Sequence, residues 1–524
     1  MAWTSRSSEI VGLDYSDDDV LHAPSLRFSV GEYPHGEEPC RRLIAAADAA
    51  LARRCAAGHP DVEALEINFV YASPLNKYMS LLPKGCWYIF THRHATGITS
   101  AHVDAWLRLA ARHVTGSFAL AVPTLLGPDM RNMPADEKEQ RFAELPASAR
   151  AEAMSLSFGH ALLMVPAAAT GNGGAAFHAL ADLHLGHAWM EPGGADERNL
   201  GVLLSAASCP RLRRLRLEHI AGLSGLRLHA AATLEELRLD YIQDLTALEL
   251  DAPGLRALHV ANCFRMMDRG STARISAPAL ETLAWGDVCR PEGLQIDAPS
   301  LRRLEKVYLY SHARADNDWN ARVVGLLQQC SAADSLSMVM ALVEPSFGME
   351  DIKEMISCLP LLHNIINLTI KVDGGRWHEL KATISRLVAK CSRVQCLSID
   401  IKSANNPCSK PGCPCNLEDD LMISLEHLRE AKITGFGPSN YHRSFVQLMI
   451  AGAPALEKMT VEFIKASLSQ RQQNDDDSED LGFNMPCKGQ WSLRHGDVTT
   501  YEWTADSKRE EARQDIGDPT LSRL

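Results

Sequence analysis

The chain has 524 residues, of which 46% are hydrophobic and 23% charged, an ordinary folded composition long enough to bury a large core. Its net charge is −12, from 53 Lys+Arg against 65 Asp+Glu, which argues against non-specific attachment to nucleic acid or phospholipid. No window approaches the roughly 18 uninterrupted apolar residues that cross a bilayer, so neither nucleic acid nor a membrane is an expected partner.

The first 60 residues read as a lead-in. Their start, MAWTSRSSEIVGLDYSDDDV, lacks the apolar core of a signal peptide, and the run Asp17–Asp19 would oppose translocation. The 14 cysteines are mostly scattered singly along apolar segments, as reduced thiols are. The expectation is an intracellular protein of the cytoplasm or nucleus, in which the sequon at Asn367 carries no sugar.

From residue 61 a repeat takes over. The pattern L-x-x-L-x-L has loose matches at Val62-x-x-Leu65-x-Ile67, Thr115-x-x-Phe118-x-Leu120 and Ala151-x-x-Met154-x-Leu156. Between the first two, residues 102–112 carry Val103, Trp106, Leu107 and Ala110 at helical spacing. The pattern is then clean at Leu180-x-x-Leu183-x-Leu185, Leu212-x-x-Leu215-x-Leu217 and Leu234-x-x-Leu237-x-Leu239. Variants follow at Leu255-x-x-Leu258-x-Val260, Leu280-x-x-Leu283-x-Trp285 and Leu304-x-x-Val307-x-Leu309. From Leu212 onward the starts lie 21 to 25 residues apart, the period of leucine-rich repeats.

Some short central units carry a second half-pattern, Leu223-x-x-Leu226-x-Leu228 and Leu245-x-x-Leu248-x-Leu250. An Ala-Pro-x-Leu motif at Ala252, Ala277 and Ala298 marks a rigid corner before the next strand. Downstream, matches at Ala333, Ile365, Val394, Leu428 and Leu456 open longer units, with helices expected over 377–390 and 441–451.

The physical content is simple. In x-Leu-x-Leu the leucines share one face of a short strand. One repeat cannot cover that face, so neighbours must stack. The predicted fold is α/β: a leucine-rich-repeat solenoid over 61–400, a curved parallel sheet with helices or irregular segments on its convex side. Leu183, Leu185, Leu212, Leu215, Leu217, Leu234, Leu237, Leu239, Leu255, Leu258, Leu280 and Leu283 are its expected core. In particular, Leu215, Leu217, Leu237 and Leu239 should lie buried on adjacent parallel strands.

The central repeats, the segment HVDAWLRLAARH (102–113) and the block after Cys408-x4-Cys413-x-Cys415, ending LEHLREAKITGFGPSNYHRSFVQLMIAGAPALEKMTV at Val461, together resemble plant F-box/LRR proteins with an FBD region, especially those of grasses. The resemblance spans roughly 60–465 and makes 401–465 FBD-like terminal repeats. It implies a substrate-recognition surface of a ubiquitin ligase, with an F-box docking on a Skp-type adaptor. Residues 1–60 contain neither a Leu-Pro-x-x-Leu helix start nor an SRRWR-type segment, so that adaptor is expected only if an F-box lies upstream, whether the F-box was lost or the chain is truncated. The alternative is an LRR binding module or scaffold with no ligase link, and in both cases the protein substrate is unknown.

Catalytic chemistry is not expected. Cys408, Cys413 and Cys415, with Cys391 and Cys396 nearby, depart from paired zinc-ligand spacing and suit a Pro/Gly-rich loop with free thiols. His92 and His94 lack an evident third ligand, and Thr170–Gly174 lacks the Gly-Lys-Ser/Thr end of a phosphate loop. No cofactor or metal is assigned. The basic run Arg211, Arg213, Arg214, Arg216 alternates with leucine, and either forms a solvated strand face or meets an acidic partner. Arg213, Arg214 and Arg216 are the candidate partner-binding residues. The acidic segment 475–480 opens a tail, 466–524, expected to be largely disordered apart from one strand within 491–501.

Overall fold

The computed structural model describes residues 22–29, 38–58, 61–69, 98–122, 142–166, 176–242, 244–264, 270–286, 293–310, 318–342, 356–374, 377–401, 424–436, 440–463, 489–495 and 499–505. They form two compact units, one of residues 1–280 and 291–299, the other of 281–290 and 300–524. Both are mostly parallel sheet with few helices, an α/β architecture.

In the first unit the main sheet contains β1 (Ser25–Ser29), β2 (Val62–Asn68), β3 (Val114–Ala121), the short β4 (Phe142–Glu144), β5 (Ala153–Met164), β6 (Asp182–Trp189) and β7 (Arg214–Ala221). A second sheet starts with β8 (Gly225–His229), and the chain then alternates between the two. β9 (Glu236–Asp240) and β11 (Ala257–Ala261) join the first sheet; β10 (Ala247–Asp251) and β12 (Thr272–Ser276) join the second. After β13 (Thr282–Trp285), which belongs to the second unit, β14 (Gly293–Asp297) completes that four-stranded sheet.

The register explains the repeat. Leu26, Leu65, Phe118, Met154, Leu183, Leu215, Leu237 and Leu258 are successive partners across eight parallel strands. Two residues on, Phe28, Ile67, Leu120, Leu156, Leu185, Leu217, Leu239 and Val260 form a second row. Both rows are buried, as are Leu212, Leu234, Leu255, Leu280 and Leu283. Strands with a two-residue side-chain period can only stack this way if every repeat keeps its apolar residues in phase.

The half-patterns have a partner the sequence did not disclose. Leu226 and Leu248 are cross-strand partners, with Ala273 and Leu294 next along, so the central units are backed by a second parallel sheet in place of helices. Residues 22–29 and 38–58 are likewise more than a lead-in. Ala23-x-x-Leu26-x-Phe28 fits the repeat template, β1 pairs with β2, and α1 (Glu38–Ala56) follows. α2 (Ser100–His113) lies where helical spacing placed it, opened by a Thr99 cap and anchored by Trp106, whose Nε1 donates to Asp48 Oδ1 of α1 at 2.8 Å. α3 (Ala195–Leu203) passes so close to β8 that any Cβ at Gly201 would overlap the carbonyl oxygen of Arg227.

At β6, β7, β9 and β11 the chain turns a corner through a left-handed residue four positions after the first row. His187, His219, Tyr241 and Asn262 have φ of 50°, 52°, 56° and 55°. Because these positions sit on neighbouring strands, the rings stack at the inter-strand spacing: His187–His219 centroids are 4.7 Å apart and His219–Tyr241 4.6 Å. Burial pushes the His219 imidazole below its ordinary pKa, against the pull of Glu218 and Asp240. Substituting His219→Asn, a residue that tolerates the left-handed region, should cost about 1 kcal/mol of stacking. His219→Val should cost clearly more, and equal melting temperatures for the two would contradict this account.

The second unit repeats the scheme with longer connections. β15 (Arg303–Tyr310), α4 (Asp318–Gln329), β16 (Ser335–Leu342), β17 (Asn367–Gly374), α5 (Trp377–Ala389), β18 (Cys396–Ile401), β19 (Glu430–Phe436), α6 (Asn440–Ala451) and β20 (Lys458–Phe463) follow in order, the strands parallel. Leu283, Leu304, Leu336, Leu368, Leu397, Ala431 and Met459 are consecutive partners. This shifts one expected unit. Leu304 takes the first-row place and Leu301 opens the repeat; a bulge with Lys306 at φ 57° then delays Val307 and Leu309.

The tail holds two strands where one was expected. Two strands, β21 (Gly489–His495) and β22 (Thr499–Ala505), pair antiparallel with each other, and β22 pairs antiparallel with β20. Tyr501 and Trp503 are buried. An antiparallel hairpin thus covers the edge of β20, which would otherwise present unpaired backbone groups.

Candidate binding face

The solvent side of the first unit's main sheet is where the repeats place side chains in rows. The x of each Leu-x-Leu gives the middle row: Ser155, His184, Arg216, Arg238 and His259 are successive partners on β5, β6, β7, β9 and β11. Below it run Ala153, Asp182, Arg214, Glu236 and Ala257, and above it Ser157, Gly186, Glu218, Asp240 and Ala261 on the same strands, with Gly186 and Ala261 buried. The basic row is therefore bordered by carboxylates on both sides. Where β3 pairs with β5 the solvent-side positions are all small: Ser117, Ala119, Ala121, Ala153, Ser155 and Ser157.

The carboxylates are used twice. Glu218 pairs with Arg216 of its own strand, and its Oε1 lies 2.8 Å from His184 Nε2 on the next strand. The other nitrogen of His184 lies 3.0 Å from Ser155 Oγ. Asp240 repeats the arrangement: Arg238 Nη2 donates to its Oδ2 at 2.9 Å, and His259 Nε2 stands 4.0 Å away. The acids sit low and the guanidinium groups stand over them. Glu218 and Asp240 side chains are each 14% exposed, against 45% for Arg216 and 37% for Arg238.

Burial raises the Glu218 carboxyl, but His184 and Arg216 outweigh it and bring the pKa from 4.5 down to about 2. The folded carboxylate is thus harder to protonate than the unfolded one. The stability it contributes is complete above about pH 4.5 and is lost as the pH falls through 2. Its size is at most about 3 kcal/mol. Glu218→Gln should lower the unfolding midpoint at neutral pH by that interaction, and the gap from the unaltered chain should close as both are titrated toward pH 2. A gap independent of pH would refute the assignment.

The arginine run is split. Arg214 and Arg216 lie two residues apart on β7 and share the face. Arg213 precedes the strand and pairs with Glu235 at 2.9 Å, and Arg214 forms a two-point pair with Asp182. Arg211 is exposed outside any strand. The structure joins to Arg214 and Arg216 three residues that the run did not include: His184, Arg238 and His259. The available signal was the x of Leu-x-Leu read down the repeats instead of along the chain.

Cys408, Cys413, Cys415, His92, His94, Thr170–Gly174 and the acidic segment 475–480 lie outside the described residues. Cys391 is buried, which pushes its thiol up to about 12, away from thiolate chemistry. Among the described residues no group of three or more His, Cys, Asp or Glu is placed to hold a metal ion, and no helix is long and apolar enough to cross a membrane. The second unit has a cavity of about 350 Å³ lined by leucines including Leu304, Leu327, Leu336 and Leu361 together with the polar Gln328, Ser331, His363 and Asn364.

No family model matches the chain, and no curated protein matches it.

Proposed function

We propose that the chain is a non-catalytic protein-interaction module, a leucine-rich-repeat solenoid whose solvent-facing sheet surface selects a partner protein. The reading rests on one observation: the repeat register delivers a contiguous field of polar side chains across β5, β6, β7, β9 and β11 on a rigid, fully paired backbone. Such a field offers many placed contacts to another protein, with the floor held still by the leucine rows beneath. A photo-crosslinking side chain at position 216 should capture a partner in cells making the protein. The same probe at position 227, on the second sheet, should not. Equal capture, or capture at neither site, overturns the reading.

Within it, the chain corresponds to the substrate-recognition part of an F-box/LRR ubiquitin-ligase adaptor. A pull-down against a Skp-type adaptor, with this chain and with a form extended upstream where one is encoded, decides that point. If neither binds, the ligase role is discarded. The second reading, a binding module with no ligase link, takes support from β1, whose parallel pairing with β2 makes residues before 61 part of the repeat sheet.

A further inference from the structure

We infer that an exposed apolar patch on β4, β5 and β6 anchors the partner protein by receiving one amphipathic helix whose apolar stripe is flanked by lysine or arginine. This rests on the reading of the chain as an interaction module and adds the chemistry of what it binds. A protein interface has an apolar centre as well as a polar rim, and the polar field supplies only the second. Further along the same strands the outward positions change character. β5 passes a left-handed Gly159 with φ of 59°, and β6 passes His187. Beyond these points Phe142, Leu162 and Trp189 are successive partners on β4, β5 and β6. Met164 lies two residues past Leu162 on the same side, which makes it the diagonal neighbour of Phe142. The alternate residues Ala143, Leu163 and Ala188 are buried, so these four side chains face outward. Phe142 is 37% exposed and Met164 41%, while Leu162 and Trp189 are half-buried. Single exposed apolar residues are ordinary on a surface, but four together mark a place where something docks.

Width and charge select the occupant. Three adjacent strands span about 10 Å, the diameter of one helix with its side chains. The rim is acidic: Glu144 is the cross-strand partner of Met164, and Glu191 follows Trp189 by two residues. Both are exposed, and among the described residues neither carboxylate has an ion pair or a hydrogen bond. They differ in this from Glu218 and Asp240, whose charges are already met by arginines of their own strands. A cation beside the apolar stripe would therefore find an unmet carboxylate, and the net charge of −12 adds a long-range pull on it. A second copy of the chain would bring its own carboxylates to the same rim, which disfavours self-association through this patch.

The test uses the full chain and two fluorescein-labelled helical peptides of about 14 residues, followed by fluorescence anisotropy. Both peptides carry leucine at every third or fourth position; the remaining positions hold alanine with lysine in one and alanine with glutamate in the other. Saturable binding of the lysine peptide is expected, about tenfold tighter than that of the glutamate peptide. Phe142→Ser/Met164→Ser should weaken it about tenfold or more, and Leu361→Ser, at an exposed leucine of the second unit, should leave it unchanged. Phe142→Leu/Met164→Leu should retain it, which separates lost recognition from lost folding. Glu144→Lys/Glu191→Lys should remove most of the preference for lysine over glutamate. Binding indifferent to Phe142→Ser/Met164→Ser overturns the inference, and so does equal binding of the two peptides by the unaltered chain. A photo-crosslinking side chain at position 164 identifies the occupant. Linkage to the lysine peptide is expected; linkage instead to residues 123–141 of the same chain, or to a second copy, overturns the inference. Capture of a partner at position 216 does not depend on this patch, so the inference can fail there while the interaction reading stands.

Discussion

Gly222→Ala should destabilise the first unit by on the order of 4 kcal/mol, although it adds a single methyl group. Gly222 has φ of 78°, a conformation that costs an L-residue about 1–2 kcal/mol. The larger part is steric. A Cβ there would overlap the carbonyl oxygen of Met190 and stand 3.2 Å from Trp189 Nε1. The obstacle is backbone, which no rotamer change can move. Relief requires the corner between β7 and β8 to lift from the end of β6, and that also breaks the 2.7 Å hydrogen bond from Gly222 N to Asp244 Oδ2. Gly225, three residues on, is the internal control: nothing lies within 4 Å of a Cβ built there. Gly225→Ala should stay within about 0.5 kcal/mol of the unaltered chain. Thermal melts followed by circular dichroism, with amide exchange read on β6 and β7, measure both. Similar behaviour of the two alanines would show that the corner is not close-packed.

The contrast between those two glycines shows what a one-dimensional pattern carries. Leu215, Leu217, Leu237 and Leu239 were readable because inward positions tolerate only apolar residues, and the two-residue strand period prints that demand on the chain. They lie buried on adjacent parallel strands. β1 was read as part of a lead-in because it contributes only Leu26 and Phe28 inward, too short a match to stand without its partner β2. The second sheet was visible as the half-patterns at Leu223 and Leu245, but their pairing joins residues about 22 apart and leaves no local trace. The hairpin at the end was foreseen as one strand, since nothing local announces that β22 would bind β20 from about 40 residues away.

The polar face across these strands follows the same logic. The run Arg211, Arg213, Arg214, Arg216 attracted notice because its charges are close together in sequence, but only Arg214 and Arg216, two residues apart on β7, share a face. The row that does form takes one residue from each repeat, and its carboxylates come from positions where a single repeat shows only an ordinary charged residue. Charge pairing across strands is specified by register, and register is a property of the whole stack. Bulges such as that at Lys306 shift it without altering composition.

Leu237→Ala should cost about 3–5 kcal/mol, while Leu237→Met should cost less than about 1.5 kcal/mol. Leu237 is wholly buried, with Leu215 and Leu258 as its partners on β7 and β11. Truncation removes three carbons from the middle of a continuous row. Both neighbours are pinned by backbone ladders on their far or near sides, so the walls cannot close on the space. The cost is then the lost transfer free energy plus an unfilled cavity, whereas methionine refills most of the volume with a flexible thioether. The spatial pattern of the damage is the sharper test. Each strand touches only the next along the sheet, so amide protection should fall most on β7, β9 and β11 and recover progressively toward β5 and β3. A uniform loss across β1 to β11 would mean that the row behaves as one cooperative block. Retention of protection at β9 would mean that Leu237 is not the contact through which its neighbours are held.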